Sequence, residues 1–355
     1  MSEISIAGLL KTLAEWGGSD LHIGAGTPPI IRVCEKLQKV GTVPLNDEDA
    51  RALIYALLTQ DQIETFERDH ELDFSYEVEA LGRFRVNVFV QRSLIASSIR
   101  LIPYHIMGFK ECGLPEPTMK ALCKKPKGLV LITGATGSGK STTLAAMIDF
   151  INQERACHIV TIEDPIEFVH HNRSALIDQR EVYHDTHTFA IALKHVLRQD
   201  PDVIMIGEMR DLETIETALI CAETGHLVIA TLHTTDAVQT INRIVDVFPA
   251  YQQQQIKTQL SFVLIAIISQ QLIPRANGPG RVLATEMLVA NSGVRSMIRE
   301  SKTHQMISCI QTGHKEGMYT MNQSLHDLCE RGDITYDDAV ARSLDPEDLN
   351  RLFKK

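Results

Sequence analysis

With 355 residues the chain is long for one hydrophobic core, so two domains are expected. Its 45 acidic against 35 basic residues leave a net charge of −10, which argues against a nucleic-acid groove as the main working surface; no nucleic-acid partner is expected. Seven scattered cysteines without a C-x-x-C pair read as reduced thiols rather than a zinc site, and with neither a signal-like N-terminus nor an apolar run of spanning length the chain reads as cytoplasmic.

Ile6, Leu9, Leu10, Leu13 and Trp16 recur at helical spacing up to Gly17-Gly18 and predict an opening amphipathic helix. Short apolar runs at 21–23, 30–33 and 37–40 predict strands, Asn46 and Asp47 cap a helix to Leu58, and Thr59 starts another. Between 72 and 102 the period becomes two. Leu72, Phe74, Tyr76 and Val78, then Phe84, Val86, Val88 and Val90, predict antiparallel strands with one buried face, which puts Arg83 and Arg85 together on the other. Burial does not explain Arg85, so a charged partner outside its own domain's core is sought for it. Residues 103–127, punctuated by Pro and Gly, read as the connection between a domain at 1–102 and one at 128–355.

From 128 onward, apolar runs at 128–133, 158–162, 203–206 and 227–232 alternate with helical patterns, as in a parallel sheet covered by helices. The first run leads into Gly134, Ala135, Thr136, Gly137, Ser138, Gly139, Lys140, Ser141 and Thr142, which fits G-x-x-x-x-G-K-[ST]. Small residues let backbone N–H groups curl around phosphate oxygens, Lys140 reaches the β- and γ-phosphates, and the Ser141 hydroxyl takes one Mg²⁺ position; ATP and Mg²⁺ are the implied ligands. Past Pro249 the pattern reads as mostly helical, with Ile256, Leu260, Val263, Leu264, Ile267 and Ile268 on one face and a hairpin near Asn277-Gly278-Pro279-Gly280.

Ligands of open α/β sheets sit beyond the carboxyl ends of the strands. Three of these ends carry polar groups: Glu163-Asp164-Pro165, Gly207-Glu208, and His233. A carboxylate beside phosphates is repelled unless a metal ion or an attacking water intervenes, so Glu208 is assigned to Mg²⁺ and Glu163 to the water. His226 and His233 flank one strand. Of the two, His233 is the better γ-phosphate sensor, although chemistry alone leaves it open between that role and an ordinary strand-end residue. His170-His171 and His184-x-x-His187 read as solvated loop residues.

These boxes, GATGSGKS (134–141), TIEDPIEF (161–168), DVIMIGEMRD (202–211) and GHLVIATLH (225–233), together resemble the secretion and type IV pilus motor ATPases. GGSDLH (17–22), RFRVNVF (83–89) and EGMYTMNQSL (316–325) extend the likeness over nearly the whole chain. The resemblance implies a homohexameric ring whose subunit has a PAS-like α+β N-terminal domain and a RecA-like P-loop NTPase domain with a helical C-terminal cap. It further implies ATP hydrolysis at the inner face of the inner membrane, with interdomain movement acting on a pilus platform protein. Carried over residue by residue, it makes Glu163 the catalytic carboxylate, Glu208 the second-motif glutamate, and His226 and His233 the paired histidines, and it places Arg83, Arg85 and Arg92 where the family supplies arginines from the N-terminal domain.

The lack of a cysteine quartet and of an added N-terminal region is similar to the retraction branch rather than to the assembly motors. Residues 293–300, GVRSMIRE, keep both arginines, Ile298 and Glu300 of the retraction signature and change four positions, while Thr234-Thr235-Asp236 and Val33-Cys34-Glu35-Lys36 also depart from the family pattern. If this helix couples motor to target, changing Arg295 and Arg299 together to Ala is expected to leave ATPase activity largely intact while stopping retraction in cells. The rival readings are an accessory retraction, assembly or secretion motor of the same family, and a nucleotide-gated structural ring with little hydrolysis.

Overall fold

The computed structural model describes residues 5–33, 36–78, 81–102 and 105–354. The departure from the family pattern at 33–36 lies partly outside them. The chain folds as two units, Met1–His105 and Ile106–Lys355.

In the first unit, α1 (Ile6–Glu15), β1 (Asp20–Gly24), β2 (Ile30–Val33), β3 (Lys36–Lys39), α2 (Asp47–Tyr55), α3 (Gln60–Asp69), β4 (Glu71–Val78), β5 (Gly82–Gln91) and β6 (Leu94–Ile102) form an antiparallel six-stranded sheet with three helices. The strand order is β3-β2-β1-β6-β5-β4. Asn46 and Thr59 cap α2 and α3 through their side chains, and Gln62 completes a capping box. The alternation expected on β5 holds: Phe84, Val86 and Val88 are buried with Leu10, Leu13, Leu53 and Phe66 from the helices. Val90, at the strand's end, is exposed.

The second unit begins with α4 (Glu116–Cys123), so the segment read as a connection carries a helix of its own, whose Met119, Leu122 and Cys123 are buried against the sheet together with Phe109 and Leu114. Then follow β7 (Gly128–Thr133), α5 (Lys140–Glu154), β8 (His158–Glu163), β9 (Leu176–Glu181), α6 (Phe189–Val196), β10 (Val203–Ile206), α7 (Leu212–Glu223), β11 (Leu227–Leu232), α8 (Ala237–Asp246) and α9 (Ala250–Val263). Two further strands, β12 (Leu264–Pro274) and β13 (Arg281–Val289), precede a helical tail of α10 (Ser292–Arg299), α11 (Met306–Thr312), α12 (Met321–Glu330), α13 (Tyr336–Arg342) and α14 (Pro346–Phe353). The sheet order is β13-β12-β7-β11-β10-β8-β9, parallel except for β13. This is an α/β nucleotide-binding fold with a helical C-terminal region.

The helical reading past Pro249 is corrected at Val263. Leu264, Ile267 and Ile268 do not continue α9; they lie on β12, which pairs in parallel with β7 and extends the sheet. A strand buried on both faces has an unbroken apolar run that a helical template also matches. The hairpin at 277–280 joins β12 to β13.

Arg295 on α10 ties this junction together. Its Nε donates to the Ala290 carbonyl at 3.0 Å, Nη1 to those of Ser261 and Phe262 (the latter at 2.7 Å), and Nη2 to that of Leu264 at 2.9 Å. A cation thus meets the carbonyls that end α9, where the helix dipole is negative. Arg295 is a strut of the fold and Arg299 reaches Ser261 Oγ, so the double replacement also removes bonds that hold this junction together. Arg295→Ala is expected to destabilise the second unit by about 2–4 kcal/mol, because several carbonyls lose a charged donor at once. A melting curve within about 1 °C of the parent chain would refute that.

Candidate functional site

The turn after β7 is built for close approach. Gly134, Gly137 and Gly139 have φ of 143°, 78° and 92°, and a Cβ on Gly134 would lie 2.5 Å from both the Gln270 carbonyl oxygen and Ser138 Oγ, so only glycine fits there. α5 starts at Lys140 without a side-chain cap, which directs its first N–H groups and the positive end of its dipole into the loop. Ser138 Oγ is buried with no hydrogen-bond partner among the described residues. The loop therefore presents a concave set of donors suited to phosphate oxygens. Lys140 Nζ donates to the Gly134 and Ala135 carbonyls at 2.8 and 2.9 Å. Burial holds its pKa below the usual lysine range, against the opposing pull of Glu208 and Glu167.

Parallel pairing brings the ends of four strands into a row: the loop after β7, His233 after β11, Glu208 after β10, and Glu163 closing β8. His233 Nε2 and Arg210 Nε lie 2.8 and 2.7 Å from Glu208 Oε1. Burial alone would raise the Glu208 pKa, but the bonds and charges of Arg210 and His233 outweigh it and hold the carboxyl below its ordinary value.

Glu163 has the opposite environment. It is buried, and Thr161 Oγ1 and Gln179 Nε2 both donate to its Oε1, at 2.6 and 3.0 Å. Burial dominates those bonds and the backbone N–H of Glu167, and pushes its pKa up to about 7. Two carboxylates one strand apart are thus separated into one that stays ionised and one poised near neutrality.

His226 is not brought to this end. It precedes β11, beside Gly128 at the foot of β7, and its Nδ1 lies 2.9 Å from the Cys221 carbonyl; a six-residue strand of about 20 Å separates it from His233. His170 is not solvated either. It is buried, and burial pushes its pKa down to about 4.

In the first unit, Arg83 and Arg85 share the face of β5 opposite Phe84 and Val86, and Arg92 lies with Ser93 in the two-residue turn to β6, about 20 Å along the strand. Arg85 has a carboxylate within its own domain, since its Nε lies 3.8 Å from Asp73 on β4. The search for a partner outside the domain is therefore not forced by isolation.

Arg210 and Gln179 were missed by sequence reading. Arg210 stands inside the DVIMIGEMRD box, two residues past Glu208, where a basic partner for a half-buried acid could have been sought. Gln179 lies on β9, whose mixed LIDQRE sequence carries no strand signal.

A family model described as "Type II/IV secretion system protein" matches residues 78–335. The chain is 47% identical to the type IV pilus retractation ATPase PilT of Pseudomonas aeruginosa over 346 residues, covering 98% of this chain and all of that one. It is 42% identical to the type IV pilus ATPase PilU of the same organism, covering 98% and 90%. The crystal structure of the pilus retraction motor PilT with bound ADP matches with a TM-score of 0.93 at 48% identity, covering 98% of this chain and 100% of that one.

Proposed function

Because the chain belongs to the type II/IV secretion system protein family and matches retraction ATPases along its whole length, we propose that it is the ATP-driven motor that retracts type IV pili. The chain is an ATPase. The observation that carries the reading is the row of strand ends beside the phosphate loop, set within a chain that a retraction motor matches end to end.

The loop from Gly134 to Thr142 binds the phosphates, with Lys140 turning from the loop carbonyls to the β- and γ-phosphates. Ser141 and Glu208 fit magnesium: their donors are hard oxygens, and among the described residues no cluster of three acids, histidines or cysteines offers an all-protein cage, as suits an ion held largely by phosphate. When bound, the ion neutralises charge on the β- and γ-phosphates. Phosphates extending from the loop along the row meet His233 and Glu208 before Glu163, so the outermost carboxylate suits the attacking water. The water oxygen bonds to the γ-phosphorus as the bond to the bridging oxygen breaks. ADP leaves with that electron pair, and the water proton passes to Glu163.

The working form is a homohexamer at the inner face of the inner membrane, where Arg83, Arg85 and Arg92 add positive charge to the nucleotide and interdomain movement drives the pilus platform protein. Among the described residues no helix is long and apolar enough to cross a membrane, in keeping with a motor that works on a platform rather than within the bilayer. Deleting the gene is expected to leave surplus surface pili and no twitching, scored by pilus imaging and a motility assay. Bare cells would instead mark an assembly motor, and twitching that persists would mark an accessory motor of the same family.

A further inference from the structure

Gln179 on β9 stands opposite Thr161 of β8 in the parallel register, and its side-chain amide is engaged at every position. Nε2 donates to Glu163 Oε1 at 3.0 Å and to the Phe168 carbonyl at 2.9 Å, while the amide oxygen accepts the His170 backbone N–H at 2.8 Å. Only one orientation of the amide is consistent with these partners. Turned over, its oxygen would face a carboxylate and a carbonyl, and its NH₂ would face an N–H.

Thr161 Oγ1 reaches the same carboxylate oxygen at 2.6 Å. Two side chains paired in register therefore converge on Oε1 of Glu163, and the amide also fixes the backbone at 168–170 that follows the acidic box. With one carboxylate oxygen held by two side chains, and the Glu167 backbone N–H also bonded to the group, the direction of the carboxylate is set, and both side-chain donors sit on strands rather than loops. Nothing in ATP binding uses Gln179, which lies two strands beyond Glu208 in the sheet order.

From this arrangement we propose that Gln179 is a positioning residue for hydrolysis, which orients the Glu163 carboxylate toward the attacking water. The inference rests on Glu163 as the water-activating group. A general base acts only within hydrogen-bond reach of the proton it takes, and a misplacement of about 1 Å costs on the order of 100-fold in rate. Without the amide, Glu163 keeps its chemistry and loses its aim.

The test is a double-mutant cycle on the full chain, with kcat and KM for ATP, ADP affinity and melting temperature measured for each variant. Gln179→Leu keeps the side chain's bulk and removes its donors. It is expected to lower kcat about 10–100-fold, with KM and ADP affinity within about twofold of the parent. In a Glu163→Gln background the same change should lower kcat no further, since no carboxylate remains to be aimed. An undiminished loss in that background would overturn the proposal, as would a parallel fall of kcat, ADP affinity and melting temperature. Should Gln179→Leu fail to fold, Thr161→Val removes the other donor to Oε1 and carries the same cycle. Parental kcat in Glu163→Gln alone would instead remove the water-activating reading beneath the proposal, whatever Gln179→Leu does.

Discussion

Glu163→Gln is expected to bind ATP within a few-fold of the parent chain and to hydrolyse it about 10²–10⁴-fold more slowly, because an amide accepts the Thr161 and Gln179 bonds but takes no proton from water. The parent's kcat/KM should fall tenfold per unit as pH drops below about 7, where burial has set the Glu163 pKa. The variant's residual rate should lose that limb. Stability moves the other way. An unfolded glutamate ionises near 4.5 and the folded one near 7, so between these values the folded state holds the extra proton and the parent becomes less stable as pH rises. Below about 4.5 both states are protonated and the effect vanishes; above about 7 it is complete. Gln carries no such dependence, so its melting temperature relative to the parent should rise from pH 4.5 to 7. Stopped turnover without that relative gain would leave Glu163 catalytic but not desolvated, whereas near-parental turnover would return it to the core.

How much of this was legible in the residues depends on how far each feature reaches along the chain. The phosphate loop is largely local: the φ values of its glycines and the Gly134 Cβ clash with Ser138 lie within the string from Gly134 to Thr142, and only the second clash, with the Gln270 carbonyl of β12, comes from elsewhere. Glu163, Glu208 and His233 were found because each directly follows an apolar run, and the parallel register then sets them side by side. What pairs with them is less visible. Glu208 meets His233 only through the packing of β10 against β11, although Arg210 is local to it, and Gln179 reaches Glu163 across a strand pair whose outer member looks polar and irregular.

Two other features failed for the opposite reason, a strong local signal with a different cause. The run from Leu264 to Ile268 fits a helix face as well as a doubly buried strand, and only its pairing with β7 decides between them. Arg295 looks like a signature residue on an amphipathic helix; its four donors converge on the carbonyls of residues 261, 262, 264 and 290, which no helical spacing records. Arg85, by contrast, belongs with the non-local cases: it seemed to lack a partner because Asp73, on the neighbouring strand, is twelve residues away in sequence and adjacent only through the β4–β5 hairpin.

Lys140→Met should abolish measurable ATP turnover and weaken nucleotide binding by at least about 100-fold, because it removes the cation that faces the β- and γ-phosphates while keeping a flexible side chain of similar length. The fold itself should tolerate the change. Lys140 is buried, and burial disfavours its charge, which is offset by the two loop carbonyls and by the more distant Glu208 and Glu167. An uncharged thioether removes the desolvation cost together with those bonds, so the nucleotide-free melting temperature should stay near or above the parent's. The nucleotide dependence separates the outcomes. A ligand present at about 100 times its Kd stabilises the parent by about 2.7 kcal/mol, which appears as a rise in melting temperature with added ATP or ADP. In Lys140→Met that rise should vanish at the same concentrations. A variant that melts early without ligand would make Lys140 a structural cation of the loop, and one that keeps the full ligand-induced rise would detach the lysine from the phosphates altogether.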